Sequence, residues 1–184
     1  MSLRRTVPRA AVVAALVATV VGAARSASAT ERQLRVGVSL GYDGLLTTPT
    51  STGFGGGVHV SYGVNDMFNV LAKVDVTAHP YGQWAIASGA VGAAYVVDIG
   101  DWTPWIGAAA GPAVLVSMDK ACGLSLAEPC RELKLNLEIP AGLDYQLTKR
   151  FSIGLGGRFQ VLLLGYNTFM SFGVFGRAEV VFGK

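Results

Sequence analysis

The chain has 184 residues, of which 51% are hydrophobic and 15% charged, with 24 glycines and two cysteines. Four of its fifteen basic side chains and none of its twelve acidic ones lie within the first 29 residues. The formal net charge of +3 therefore belongs to that segment, because eleven basic and twelve acidic side chains remain in the rest. A chain so nearly neutral gives no indication of a nucleic-acid partner. Its length beyond residue 29 suits one domain.

The first 29 residues have the pattern of a cleaved secretory signal peptide. Three arginines among the first nine residues precede a mostly apolar stretch, Ala10–Ala24, and small residues follow as far as Ala29. This order of charge, apolar segment and small residues is typical of a signal peptide. An anchoring transmembrane helix is the alternative, but 15 residues fall short of the roughly 20 that a spanning helix needs. We predict that residues 1–29 are removed and that residues 30–184 form the mature domain.

Eight stretches of the remaining chain alternate apolar residues with small or polar ones. The first carries Leu34 and Val36 on one face and Arg35 and Gly37 on the other. Because successive side chains of a strand point to opposite faces, such alternation predicts β-strands and not helices. The predicted strands are Gln33–Asp43, Gly53–Val64, Phe68–Ala78, Gln83–Val97, Pro104–Met118, Leu133–Leu147, Phe151–Leu164 and Phe169–Phe182.

Strand length separates the two all-β architectures that fit this pattern. A secreted β-sandwich also buries one face of each strand, but globular strands average about 5–6 residues. The predicted strands have 11–15 residues, enough for the roughly 9–11 that cross a bilayer at a tilt. We therefore predict an all-β fold, an eight-stranded antiparallel up-and-down transmembrane β-barrel in the outer membrane of a Gram-negative bacterium. Its short turns would lie on the periplasmic side.

The alternation also assigns most side chains to lipid or to the barrel interior. On the last three predicted strands leucines and aromatic residues face out, whereas the fourth strand is too uniformly small to orient. Glycine is frequent on the inward face, which suits a narrow barrel where side chains from opposite walls would collide.

The inward face carries charges of both signs in nearly equal number. Eight strands enclose only enough space for side chains, and buried charges must pair or cost several kcal/mol each. We predict an interior polar network in place of an ion pathway. Its members are Arg35, His59, Lys73, Asp75, Lys134, Glu138, Asp144, Arg158, Arg177 and Glu179. A turn at Thr148–Arg150 would set Glu138 opposite Gln160 and diagonal to Arg158. Arg35 and Glu179 would meet where the first and last strands close the barrel.

His59 and Ser61 come closest to a catalytic pair, because they share one face of the second strand. Both point inward, and no acidic residue is obviously placed to orient the histidine, so we interpret His59 as an interior residue. His79, which precedes Pro80, is predicted to be an exposed loop residue. The glycine clusters lie within strands and the histidines and cysteines are scattered, so neither a phosphate site nor a metal site is predicted. We expect no catalytic residue, no cofactor and no enzymatic activity.

Cys122 and Cys130 lie in the longest loop, Asp119–Glu132. The periplasm and the cell surface are oxidising, which favours a disulfide over free thiols. Closing this small ring would stabilise the fold by roughly 2–3 kcal/mol. We predict that the disulfide orders a loop able to contact an extracellular ligand.

Three segments resemble the small eight-stranded outer-membrane β-barrel proteins, the porin-like outer-membrane barrel family. They are residues 142–158, residues 62–70 and the last strand, which ends Val180-Val181-Phe182. The resemblance implies aromatic residues beside each periplasmic turn, in contact with outer-membrane lipids. It also implies that the barrel assembly machinery reads Phe182, although Gly183 and Lys184 follow here.

Three functional hypotheses follow from these observations. The first is a monomeric, non-enzymatic barrel with a filled interior, serving envelope integrity or surface interaction. The second is passage of small hydrophobic molecules through a lateral opening near Pro112 or Pro140, where a ladder hydrogen bond must be missing. The third, disfavoured, is an enzyme that modifies lipid A.

Overall fold

The computed structural model describes residues 32–46, 51–80, 84–117, 131–164 and 168–183. The predicted signal peptide and the predicted Cys122–Cys130 disulfide lie outside these residues, as does most of the Asp119–Glu132 loop. The described residues form eight strands: β1 (Leu34–Leu45), β2 (Ser51–Gly63), β3 (Phe68–His79), β4 (Trp84–Val96), β5 (Trp102–Ser117), β6 (Arg131–Thr148), β7 (Phe151–Leu163) and β8 (Phe169–Phe182). In this described part, no helix has the length and apolar character needed to cross a membrane.

The strands close into an antiparallel barrel in which each pairs with its neighbours in sequence and β8 pairs with β1. This confirms the predicted fold. Each strand begins and ends within two residues of its predicted bounds. At the closing seam, Leu34 lies opposite Phe182 and Leu45 opposite Ser171, so pairing is continuous along β1.

Short turns join the strands at the periplasmic end. Between β2 and β3 the side chain of Asn65 accepts hydrogen bonds from the backbone N–H groups of Met67 and Phe68, at 2.9 and 2.8 Å, an Asx turn. Between β6 and β7 the turn is one residue shorter than predicted, because Thr148 already pairs with Phe151. A register shift between Gln146 and Thr148 compensates.

The barrel exterior is apolar on the outward positions of every strand. Leu40 and Leu155 are among the most exposed side chains, at 74% and 68%. Aromatic side chains form a girdle at the periplasmic end, and fewer lie near the extracellular end. The periplasmic girdle consists of Tyr62, Phe68, Tyr95, Trp102, Tyr145, Phe151 and Phe182. An apolar band between aromatic residues is the exterior of a barrel that sits in lipid.

The orientation of β4, which its sequence left open, is settled by burial. Ile86, Ser88 and Ala90 are buried in the interior, whereas Ala87 and Val91 are exposed on the outside. Both faces of β4 consist mainly of small residues, so their composition could not predict which face points into the barrel. Pairing with β3 and β5 fixes the orientation.

Inward glycines lie directly opposite large inward side chains on the neighbouring strand. Gly37 pairs with His59, and a Cβ on Gly37 would lie 2.5 Å from His59 Nε2. Gly57 pairs with Asp75 and Gly154 with Asp144, and a Cβ on either glycine would overlap the carboxylate opposite. The sequence predicted that glycine prevents collisions between side chains from opposite walls. At these three glycines the collision would instead be with a side chain of the adjacent strand.

Apolar side chains close the extracellular end of the interior. We call this cluster the apolar cap. It consists of Leu45, Ile86, Ala113, Leu115 and Leu162, with Trp84 and Phe169 packed against it. Leu45 ends β1 and Leu162 is the penultimate residue of β7, so the cap lies at the extracellular end, where the buried Lys134 is paired with Ala113. A second apolar cluster, around Trp105 and Val96, lies deeper in the barrel.

Candidate functional site: the interior polar network

The first group of interior charges, the periplasmic cluster, centres on Glu179. It comprises Arg35, His59, Asp144, Arg177 and Glu179. Glu179 Oε1 lies 2.8 Å from His59 Nε2 and is also bound by Arg177. Arg177 continues to Asp144 at 3.4 Å, and Arg35 approaches Glu179 Oε2 at 3.9 Å. One buried carboxylate of β8 thereby joins side chains of β1 and β2.

The second group, the central cluster, lies further toward the cap and comprises Asp43, Lys73, Asp75, Glu138 and Arg158. Lys73 Nζ is 2.9 Å from Asp75 Oδ2 and 2.9 Å from Glu138 Oε1. The Arg158 guanidinium lies 3.2 Å from carboxylate oxygens of both Asp75 and Asp43. The Lys73–Glu138 contact connects β3 with β6 across the interior.

Nine of the ten residues predicted for the network belong to these two clusters. The exception is Lys134, which lies at the extracellular end 4.9 Å from the centre of the Phe169 ring and 2.8 Å from Glu132. Glu138 lies opposite Gln160 and diagonal to Arg158, as the sequence predicted. Its ion-pair partner, however, comes from the far wall and not from the neighbouring strand.

The sequence interpretation missed two members of the site, Asp43 and His79. The prediction that His79 is an exposed loop residue was wrong: β3 continues through His79, whose side chain is fully buried. Its Nε2 lies 3.9 Å from Asp43 Oδ1. The alternation of side chains along a strand could have identified both residues. His79 is an even number of residues from the inward Asp75 on β3, and Asp43 is an even number from the inward Arg35 on β1.

His59 is held inside the barrel and not at a surface that a lipid substrate can reach. Its ring lies over Gly37 and contacts Glu179 and Arg177. The expectation that no acidic residue orients this histidine was wrong, since Glu179 does so. Ser61, on the same face of β2, is buried, and the His59 side chain is 13% exposed. A hydrolase needs its nucleophile and base open to substrate, whereas both of these side chains line the interior cavity.

An interior cavity of about 80 Å³ is lined by residues of both clusters, among them Arg35, Asp75 and Arg177. It has room for several waters. Among the described residues no group of three or more histidine, cysteine or acidic side chains is arranged to hold a metal ion. The arrangement is that of a packed core built from ion pairs.

Asp98 lies outside the strands, in the periplasmic turn between β4 and β5. Partial burial raises the pKa of its carboxyl group above the usual 3.8, and the nearby Arg35 opposes that rise. Thr103 Oγ1 donates a hydrogen bond to Asp98 Oδ1 at 3.3 Å. Asp98 therefore links the periplasmic cluster to the turn that covers it.

The fold has counterparts among solved structures, although the sequence matches no family model and no curated protein. It is similar to Neisserial surface protein A, with a TM-score of 0.69 and 15% identity over 80% of this chain and 96% of that one. It is similar to Ail, the attachment invasion locus protein of Yersinia pestis, with a TM-score of 0.53 and 15% identity over 83% of this chain and 99% of that one. A third similar structure is the outer membrane enzyme PagL, with a TM-score of 0.52 and 16% identity over 78% of this chain and 97% of that one.

Fold and exterior together define the class of protein. A closed barrel satisfies its backbone hydrogen bonds internally, and its apolar exterior requires lipid around it. The chain has the fold of the small eight-stranded outer-membrane β-barrel proteins, and its location is the outer membrane. Because a surface protein, an attachment protein and an enzyme share this fold, the fold alone does not define an activity.

Proposed function

We propose that this protein is a non-enzymatic outer-membrane barrel that acts through its extracellular surface, in envelope integrity or surface interaction. The observation that carries the proposal is the closed interior. The apolar cap and the two charged clusters take up most of the described interior, which supports a role outside the interior over a passage or a catalytic site within it. What remains available for function is the exterior and the loops.

The Asp119–Glu132 loop is the proposed contact site. It is the longest connection of the barrel, and a Cys122–Cys130 disulfide would reduce the entropy lost when the loop is ordered by a partner. The likeness to Ail, described as an attachment invasion locus protein, supports a surface role for this architecture without defining the ligand.

The experiment is a strain in which residues 120–130 are replaced by a short Gly-Ser linker, compared with the complete deletion and with wild type. We expect the loop variant to insert normally but to lose surface binding or detergent resistance as fully as the deletion does. A Cys122→Ser/Cys130→Ser variant should lose part of the effect. An altered lipid A mass spectrum in the deletion strain would instead indicate an enzyme.

A second candidate function, passage of small hydrophobic molecules through the wall, is favoured by one observation. The ladder between β4 and β5 is interrupted where Gly89 faces Pro112, and that between β5 and β6 where Gly107 faces Pro140. Proline has no N–H to donate to the ladder. Strand β5 is therefore interrupted on both sides, which makes it the place where the wall could part.

A cross-link can test this second candidate. Ala87 and Val114 face each other across the β4–β5 seam, so an Ala87→Cys/Val114→Cys disulfide would hold that seam shut. The matched control is Val38→Cys/Val58→Cys on the continuous β1–β2 seam, with Cys122 and Cys130 replaced by serine in both. Passage through β5 requires that uptake of hydrophobic compounds falls only in the first variant and recovers on reduction.

A further inference from the structure

A lysine lies inside the apolar cap at the extracellular end of the barrel. The side chain of Lys134 is fully buried, and on the neighbouring β5 it is paired with Ala113, a member of the cap. A buried ammonium ion needs partners that replace the water around it, and apolar side chains of similar volume often serve stability as well or better. Stability alone therefore does not explain a lysine at this position.

The ammonium group of Lys134 contacts three strand ends at the mouth of the barrel. Its Nζ lies 2.8 Å from Glu132 Oε1 and donates a hydrogen bond to the carbonyl oxygen of Leu164 at 3.2 Å. It also lies 4.9 Å from the centre of the Phe169 ring, within the range of a cation–π contact. Glu132 is on β6, Leu164 directly follows β7 and Phe169 begins β8. One ammonium group thus joins the extracellular ends of consecutive strands.

The backbone of Leu164 adopts a conformation that needs support. Its φ is +66°, in the left-handed region that residues with a Cβ rarely adopt. The Leu164 side chain is mostly exposed, so its packing does not hold the backbone there. Strained conformations persist where surrounding contacts fix them. The hydrogen bond from Lys134 to the Leu164 carbonyl is such a contact.

Phe169 extends these contacts to the opposite wall. Its ring centroid lies 6.4 Å from that of Trp84, within the range of aromatic pairs, and Trp84 begins β4. A row of contacts, which we call the mouth chain, therefore crosses the barrel from Glu132 through Lys134 and Phe169 to Trp84. Because β4, β6 and β8 each follow an extracellular connection, the mouth chain touches the ends of three of the four such connections.

We propose that Lys134 is a positioning residue for the extracellular contact surface. It fixes, relative to one another, the strand ends from which the Asp119–Glu132 loop and the β3–β4 and β7–β8 connections leave the barrel. That this surface makes contacts rests on the function proposed above, but the positioning itself needs no ligand. Since Glu132 is partly exposed, loss of the ammonium group leaves no deeply buried charge here. Its removal should loosen the mouth more than it lowers overall stability.

Hydrogen exchange tests the proposal. The full chain is inserted into lipid vesicles, and amide exchange is mapped by mass spectrometry. In Lys134→Met we expect exchange at the extracellular ends of β4, β6, β7 and β8 to be roughly tenfold faster than in wild type. The periplasmic turns and the urea midpoint should change little. The control is Lys73→Met, which removes a buried lysine of the central cluster. It should lower the urea midpoint without selectively accelerating exchange at the mouth.

Chemical rescue separates the charge of Lys134 from its shape. Lys134→Cys, with Cys122 and Cys130 replaced by serine, is alkylated in urea before refolding. Bromoethylamine gives a side chain with the length and charge of lysine, whereas iodopropane gives an uncharged one of the same length. Slow exchange at the mouth should return only with the aminoethyl group. Heat-dependent gel mobility verifies insertion of each protein.

Two exchange results would overturn the proposal: wild-type exchange in Lys134→Met, or equal exchange in the aminoethyl and propyl proteins. Detergent resistance of cells tests the function separately. A loss in the strain with the replaced loop but none in Lys134→Met would also count against the proposal. No loss with the replaced loop would count against the proposed function instead, and the exchange result would still decide whether Lys134 positions the mouth.

Discussion

Lys73 of β3 and Glu138 of β6 meet across the interior of the barrel, with Nζ 2.9 Å from Oε1. Neither residue is on a strand that pairs with the other's, so the contact connects opposite walls. Removing Lys73 leaves Glu138 as an uncompensated buried charge, so we expect Lys73→Met to reduce the unfolding free energy by roughly 3–5 kcal/mol, measured by urea titration in lipid vesicles. Glu138→Gln should cost less, because Lys73 keeps Asp75 at 2.9 Å.

The double variant Lys73→Met/Glu138→Gln distinguishes an ion pair from two independent sites. Because it leaves neither charge unpaired, its cost should be smaller than the sum of the single costs. Strict additivity would mean that the two side chains do not interact.

Gly57 lies opposite Asp75, and we expect Gly57→Ala to displace that carboxylate from Lys73 and Arg158. Overpacking of this kind costs roughly 1–3 kcal/mol. Gly176→Ala serves as the control, because a Cβ at this outward position has room, and its effect should stay within about 0.5 kcal/mol. The comparison uses unfolding free energies, and equal effects of the two substitutions would contradict the assignment of faces.

Leu155 is exposed near the middle of β7, between Phe151 and Phe159. We expect Leu155→Arg to cost roughly 2–4 kcal/mol, because its charge would lie near the bilayer midplane. Leu147→Arg, beside the periplasmic turn, should cost only about 0–1 kcal/mol. Refolding into vesicles measures both, and a reversed order would place the bilayer elsewhere on the barrel.

Asp98 should lower the unfolding free energy as the pH rises, whereas a carboxylate with a lowered pKa has the opposite effect. Burial raises its pKa in the folded protein above the usual 3.8, so the folded state holds this proton more tightly than the unfolded chain does. Its contribution is therefore fully present below the unfolded pKa and is lost as the pH rises through the folded pKa. Asp98→Asn should flatten the stability profile above pH 4 and stabilise the protein at neutral pH. A variant less stable than wild type at pH 7 would show that Asp98 acts mainly as an ionised partner of Arg35.

Sequence periodicity predicted the strands, most faces and the register of Glu138 with Gln160, because each depends on local alternation and turn length. It could not orient β4, since both of its faces are small. It also could not predict the Lys73–Glu138 contact, because contacts across a barrel depend on strand tilt and stagger, which leave no local pattern. His79 was misassigned because a following proline was taken to end the strand one residue early.

Current across a planar bilayer containing the inserted protein is the most direct test of the closed interior. With insertion verified by heat-dependent gel mobility, we expect no steady conductance above that of the protein-free bilayer. A stable open level with ion selectivity would contradict the account, because it would require a continuous aqueous path past the central cluster and the apolar cap.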